Sequence, residues 1–234
     1  MLYIVATPIG NLEDMTFRAV ETLKTVDYIA AEDTRHSKIL LDKYQIKTPT
    51  ISFHAWSDER KLEQLVQMLT DGKNVALISD AGTPGISDPG FLLVREAAKR
   101  DIKVVPIPGA SAVISALCAS GLPTNQFIYL GFLPVKKGRK TLLESLQHEE
   151  RTIVFYESPH RLLKTLGELE QHFGDRQIAL ARELTKIHEE YFRGTAKEAH
   201  EHFTKKGVKG EFVVMIGAIA KGKHHHESED FVAG

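Results

Sequence analysis

Short apolar runs alternate with helix-like segments through the first half of the chain. This alternation constrains the fold more than any other feature. LYIVAT (2–7), YIAA (28–31), TISF (50–53), VALIS (75–79) and KVVPI (103–107) have the length and composition of strands. The segments between them include ERKLEQLVQMLTDG (59–72), which sets Leu62, Leu65, Val66 and Leu69 on one helical face and stops at Gly72. FLLVREAAKR (91–100) is a second such segment. Five β–α units in about 115 residues predict a mostly parallel, doubly wound α/β sheet, too few for an eight-unit barrel.

The second half has a different pattern. ASGLPTNQ (119–126) gathers Gly, Pro and Asn and reads as a linker. Strand-like runs follow at FIYLGFL (127–133), TIVFYE (152–157), QIALAREL (177–184), HEEYFRG (188–194) and FVVMIGAI (212–219). The last three are separated by at most one short helix, AKEAHEHFTKK (196–206), which favours a mixed or antiparallel sheet. The expected organisation is an N-terminal α/β domain over 1–118, a C-terminal α/β domain over 121–220, and a polar tail over 221–234. That tail, KGKHHHESEDFVAG, reads as disordered, and its adjacent histidines cannot easily converge on one ion.

Composition sets limits on function. The formal net charge is −1, which is not the footprint of a protein that coats nucleic acid nonspecifically. Local basic stretches exist at KKGRK (136–140) and KKGVK (205–209), either as partner surfaces or as solvated loops. Cys118 is the one cysteine, so no disulfide forms within the chain and a reducing cytoplasm is the expected setting. No apolar stretch is long enough for a membrane span, and MLYIVATPIGN reads as a first strand and not as a signal peptide.

In a parallel open sheet, ligands gather at the carboxyl ends of the strands. The loops there are TPIGNLEDMT, EDTRHS, HAWSDER, SDAGTPGISDPG and PGASA, all rich in small or polar groups. Neither the dinucleotide fingerprint nor the P-loop is present. The long loop SDAGTPGISDPG (79–90) offers backbone groups at Gly82, Thr83 and Gly85 and the carboxylate of Asp80, with no lysine to meet a triphosphate. Ser111 in PGASA sits near a helix start, where free N–H groups hold a carboxylate or ring nitrogen, unless Pro108 and Gly109 simply make a tight turn.

TPIGNL, AEDTR, SDAGTPGISDPG, PGASA, SGLPTNQFIYLGFLP, FYESPHR, ARELTKIHEEYFRGT and GEFVVMIG occur in this order. Together they resemble the small-subunit ribosomal RNA cytidine 2′-O-methyltransferases of the tetrapyrrole-methylase superfamily, over roughly residues 2 to 219. The resemblance implies two α/β domains with S-adenosylmethionine in the cleft between them, a homodimer, and methylation of one cytidine 2′-hydroxyl in 16S rRNA of the small ribosomal subunit. It implies cofactor contacts at Pro8, Asp80, Ala81, Gly82, Thr83, Ser111 and Ala112, with Tyr156, Leu184 and Glu211 enclosing the adenosine. It also implies that a side chain at Gly82 would fill ligand space. The chain departs from the family's pattern at HAWSDE, which keeps His54 but has Ala55, Trp56 and Ser57 where polar groups are usual, and at Leu130, where an acid is common. Trp56 is either a base-stacking residue or a packed cap.

Methyl transfer from a sulfonium relies on alignment, and the ribose hydroxyl must give up a proton. The candidate catalytic residues are Glu32, Asp33, Arg35 and Lys186, with His54, Glu157, His160, Arg161 and Glu183 nearby in strand-end loops. Each has a structural alternative. Asp33 also suits a helix cap, and Lys186 also suits an interdomain ion pair. Arg161 also suits a helix start capped by Ser158 with Pro159 in the first turn. No Cys/His metal spacing or nucleophile elbow is present. Two other functions compete: a tetrapyrrole-type small-molecule methylase, over which AEDTR, FYESPHR and ARELTK favour the RNA branch, and a ribosome-binding protein with a dead pocket, against which the intact SDAGTPGISDPG argues.

Overall fold

The computed structural model describes residues 1–54, 59–88 and 90–219. Ala55, Trp56, Ser57 and the His-containing tail lie outside the described residues. Five strands, β1 (Leu2–Val5), β2 (Tyr28–Ala31), β3 (Thr50–Ser52), β4 (Val75–Ile78) and β5 (Val104–Ile107), form one parallel sheet in the order β3-β2-β4-β1-β5. The doubly wound expectation holds. The chain leaves β2 toward β3 but leaves β4 across β1 toward β5. The carboxyl ends of β2 and β4 are therefore the point where the winding diverges and a crevice opens.

Alternation along each strand dictates the layers. Leu2, Ile4, Ala30, Val75 and Leu77 pack against Leu65, Val66 and Leu69 of α3 (Glu59–Thr70) and Leu93 and Ala97 of α4 (Gly90–Lys99). Val5, Ile29, Ala31, Ala76 and Ile78 face Ala19 and Leu23 of α1 (Phe17–Thr25) and Leu41 of α2 (Thr34–Lys43). Helix α3 buries the predicted stripe except Leu62, which is partly buried, and it ends with Gly72 at φ +83°.

The second sheet is mixed, as the crowded strands predict. Its strands are β6 (Phe127–Phe132), β7 (Thr152–Glu157), β8 (Ile178–Arg182), β9 (Glu190–Gly194) and β10 (Phe212–Ile216), in the order β6-β7-β10-β8-β9. Only β6 and β7 run parallel. One face packs on α6 (Arg139–Ser145), α7 (Leu162–Phe173) and α8 (Ala196–Lys206), with Phe155, Leu166 and Phe203 fully buried between. The other face packs on Val113, Ala116 and Leu117 of α5 (Ala112–Cys118), so α5 belongs to the core of the second sheet although it follows the last strand of the first. Strand β8 stops two residues before the end of its apolar run. Glu183 and Thr185 take left-handed backbone, φ 50° and 65°, and end the ladder there.

Candidate active site

A cavity of about 570 Å³ opens between the two sheets, within the range of small-molecule sites. Its floor is the β2/β4 crevice. The Asp33 N–H donates to Asp80 Oδ1 (3.0 Å), and the Asp80 N–H reaches back to Glu32 Oε2 (3.5 Å), so the two strand ends brace each other. Burial and the neighbouring Asp80 carboxylate together push the Glu32 carboxyl above its usual range. Asp88 adds to this, while the Asp80 N–H and His54 oppose it.

The loop 79–88 closes one wall by bonding to itself and to its neighbours. Gly82 exchanges both backbone bonds with Thr7, N–H to O at 3.0 Å and O from N–H at 2.9 Å. The Gly85 N–H donates to both oxygens of Asp88 (2.8 and 2.9 Å), and the Gly90 N–H donates to Asp88 Oδ1 (2.7 Å). Both backbone groups of Gly82 and the N–H of Gly85 therefore hold the loop in shape. A Cβ on Gly82 would sit 3.5 Å from Ile9 Cγ2, an ordinary contact. Its φ of +81°, not crowding, is what requires glycine. At Gly109 the opposite holds. A Cβ there would come within 2.9 Å of Ala6 Cβ, so PGASA is a tight turn as well as a cavity wall.

The facing wall comes from the second sheet. Tyr156 meets Tyr129 edge-on at 5.4 Å and Phe132 at a tilt, also 5.4 Å. The hydroxyls of Tyr129 and Ser87 lie 2.7 Å apart and tie the loop to this wall. Burial, with Tyr129 alongside, pushes the Tyr156 phenol up, so it stays neutral. Leu184 reaches the cavity from the strained turn after β8. There Glu183 Oε1 accepts from the Glu211 N–H (2.9 Å) and from Lys186 Nζ (2.9 Å), and Thr185 Oγ1 accepts from the Asn11 N–H across the cleft (3.0 Å).

Of the sequence candidates, Glu32, Asp80, Ala81, Gly82, Thr83, Ser111, Ala112, Tyr156, Leu184 and Glu211 line the cavity, as does Glu157. Pro8, Asp33, Arg35 and Lys186 do not. Pro8 is buried beside the Thr7–Gly82 bridge, and the lining residue of that loop is Ile9. The Asp33 carboxylate accepts from the Arg35 and His36 N–H groups as the cap of α2, and those bonds hold it below its usual range. Arg35 projects into solvent, 92% exposed, and pairs with Asp33 at 3.5 Å. Lys186 pairs with Glu183 and with Glu211 (2.8 Å), both in the second half of the chain, so the ion pair is not an interdomain one. Arg161 is itself the α7 cap position without a side-chain cap bond, and its guanidinium pairs with the buried Glu157 at 2.6 Å. His160 is exposed. Sequence reasoning missed Phe132, Ala181, Phe212 and Val213, which look like core residues until the cleft is seen.

The lining has a marked electrostatic character. Among the described residues it contains Glu32, Asp80, Asp88, Glu157 and Glu211 and no lysine, arginine or histidine. Glu157 is neutralised from behind by Arg161 and by Arg139 at 3.7 Å. Glu211 is paired with Lys186 at 2.8 Å, and the remaining acids, Glu32, Asp80 and Asp88, favour a ligand carrying positive charge and disfavour phosphates.

The chain belongs to the tetrapyrrole (corrin/porphyrin) methylase family, whose model matches residues 1–200, and it is a methyltransferase. Its named relatives narrow the class. It is 55% identical to the ribosomal RNA small subunit methyltransferase I of Synechocystis sp., over 98% of this chain and 83% of the relative. It is 51% identical to the protein of the same name from Thermotoga maritima, over 92% of this chain and 97% of the relative. Among solved structures, cobalt precorrin-4 methyltransferase superposes with a TM-score of 0.68 at 19% identity, covering 92% of this chain and 94% of that one. Uroporphyrin-III C-methyltransferase from Thermus thermophilus, complexed with S-adenosyl homocysteine, gives 0.63 at 17% identity, covering 92% and 96%. These two likenesses establish the fold.

Proposed function

We propose that this enzyme methylates the 2′-hydroxyl of a cytidine in small-subunit ribosomal RNA, with S-adenosylmethionine as methyl donor. The observation that carries the reading is the acid-lined cavity between the sheets, in a chain about half identical to rRNA small subunit methyltransferases. The cofactor fits that donor set, since its sulfonium and ammonium groups are cationic. Bound there, it supplies a methyl group on a positively charged sulfur that departs as a neutral thioether.

The chain's own residues supply position and proton transfer. Asp80, Thr83 and Ser111 are the polar holding groups; the Ser111 hydroxyl makes no cap bond with α5 and is available. Ala81, Ala112, Tyr156 and Leu184 form the apolar remainder, and Glu211 stands at its edge. Glu32 is the proton acceptor of choice, because it lines the cavity and its raised carboxyl is a stronger base than an ordinary carboxylate. Lys186 and Glu183 hold the turn that presents Leu184, so Lys186 acts as a positioning residue. Asp33 and Arg35 shape the start of α2 beside Glu32. The tetrapyrrole alternative has the family model and structural neighbours of 19% identity or less behind it, whereas the relatives about half identical to this chain carry rRNA methyltransferase names.

Alkaline hydrolysis tests the atom that is methylated. RNA cleavage by base requires a free 2′-hydroxyl, so ribose methylation leaves label in an uncut dinucleotide. Label recovered in mononucleotides would mean base methylation and overturn the 2′-O assignment.

A further inference from the structure

We propose that Phe132 and the lysine loop after it form a nucleic-acid subsite at the cavity mouth, where a base of the substrate strand stacks on Phe132 and Lys136 and Lys137 meet its phosphates. The proposal rests on the rRNA reading above and names the residues by which that substrate is held.

Phe132 lines the cavity yet is 59% exposed, an aromatic ring left in water at the rim of a site. The ring is held firmly all the same. One side leans on Tyr156, and the strand beneath it breaks register between Tyr129 and Phe132, with Gly131 at φ +65°. The next two carbonyls are gripped from within. Leu133 O accepts from Arg161 Nη1 (3.2 Å) and Pro134 O from Arg139 Nη1 (3.1 Å). Both guanidiniums pair with Glu157, which is 2% exposed. A buried ion cluster therefore fixes the backbone that carries the ring, and a fixed aromatic loses little freedom when a base stacks on it.

The charge distribution gives the orientation. Lys136 and Lys137 follow Phe132 by four and five residues, are exposed, and are not ion-paired among the described residues. The cavity behind the ring is acidic and repels phosphates, whereas the loop attracts them. A strand drawn to this rim has its phosphates outside and a ribose free to point inward. The same division disfavours a purely apolar partner, which would gain nothing from the lysines.

The test uses the full-length protein, with assembled small subunits lacking the modification as substrate. Wild-type activity comes first; no label in any RNA would reject the rRNA reading itself. Given wild-type activity, Phe132→Ala is expected to raise KM for the subunit about tenfold while the calorimetric affinity for S-adenosylmethionine holds. Phe132→Trp should restore KM and Phe132→Leu should not, because stacking needs a π face. The double variant Lys136→Ala/Lys137→Ala should lower the salt slope of subunit binding by about one to two. An unchanged KM in Phe132→Ala, or Leu rescuing as well as Trp, would overturn the subsite and leave the rRNA reading standing. A weakened cofactor affinity would assign Phe132 to the cofactor instead. A change in solution mass would assign it to contact between copies of the chain.

Discussion

Gly82 gives the sharpest test of the cavity's construction. Its φ is +81°, and both of its backbone polar groups are bonded to Thr7 at 2.9 and 3.0 Å, so the residue cannot relax without breaking the bridge. A Cβ there has room, 3.5 Å from Ile9 Cγ2 and 3.9 Å from Ala110 O. The cost of Gly82→Ala is then conformational, about 1–2 kcal/mol for an L-residue in left-handed backbone. In a chain of this size that lowers Tm by about 2–8 °C, readable by differential scanning calorimetry. Gly82→Asn separates strain from space. Asn tolerates the left-handed region, so its Tm should lie above that of the Ala variant. Its longer side chain beside Ile9, a lining residue, should nevertheless weaken S-adenosylmethionine binding. An Ala variant as stable as wild type would refute the reasoning, as would an Asn variant less stable than Ala.

Four further outcomes follow from the same structure. Glu32 is raised by burial and by Asp80, so kcat should rise with pH through the Glu32 pKa; Asp80→Asn, by removing the like charge, should move that limb to lower pH. A carboxyl raised in the folded state is destabilising once ionised. Glu32→Gln should therefore stabilise the protein at neutral pH and lose that advantage in acid, as thermal melts across pH would show. Glu157→Ala would take from Arg161 its carboxylate partner and from Arg139 the more distant of two, Glu168 remaining at 2.7 Å, and should cost about 1–3 kcal/mol in denaturant unfolding. At Glu190, burial is outweighed by bonds from Lys206, His202 and Arg182, which hold the carboxyl down to about 2. Its contribution is present above the ordinary glutamate range and fades as pH falls toward that value, so Glu190→Gln should flatten the acid limb of the stability curve.

The strands and the long loop 79–90 are legible in the sequence because burial on both faces writes near-continuous apolar runs, and sharp turns demand glycine. Strand order is not, because Val75 pairs with both Leu2 and Tyr28 through contacts far apart in the chain. The cavity depends on that order. Glu32 and Asp80 look like residues of two separate loops until β2 and β4 become neighbours. Polar residues at strand ends pointed to the site in part only. Asp33 and Lys186 have the right chemistry, but a helix cap and an ion pair account for their side chains. Phe132 and Val213 were missed for the reverse reason, since an apolar residue at a strand terminus reads as core. The left-handed Glu183 and Thr185 had no sequence signal, since neither is a residue that favours that backbone.

The most direct measurement is methyl transfer from labelled S-adenosylmethionine to three acceptors: assembled small subunits lacking the modification, protein-free small-subunit rRNA, and no RNA. The account predicts label at a single cytidine 2′-oxygen in the subunits. Measurable cofactor binding with no label in either RNA would contradict it and turn the search to small-molecule acceptors.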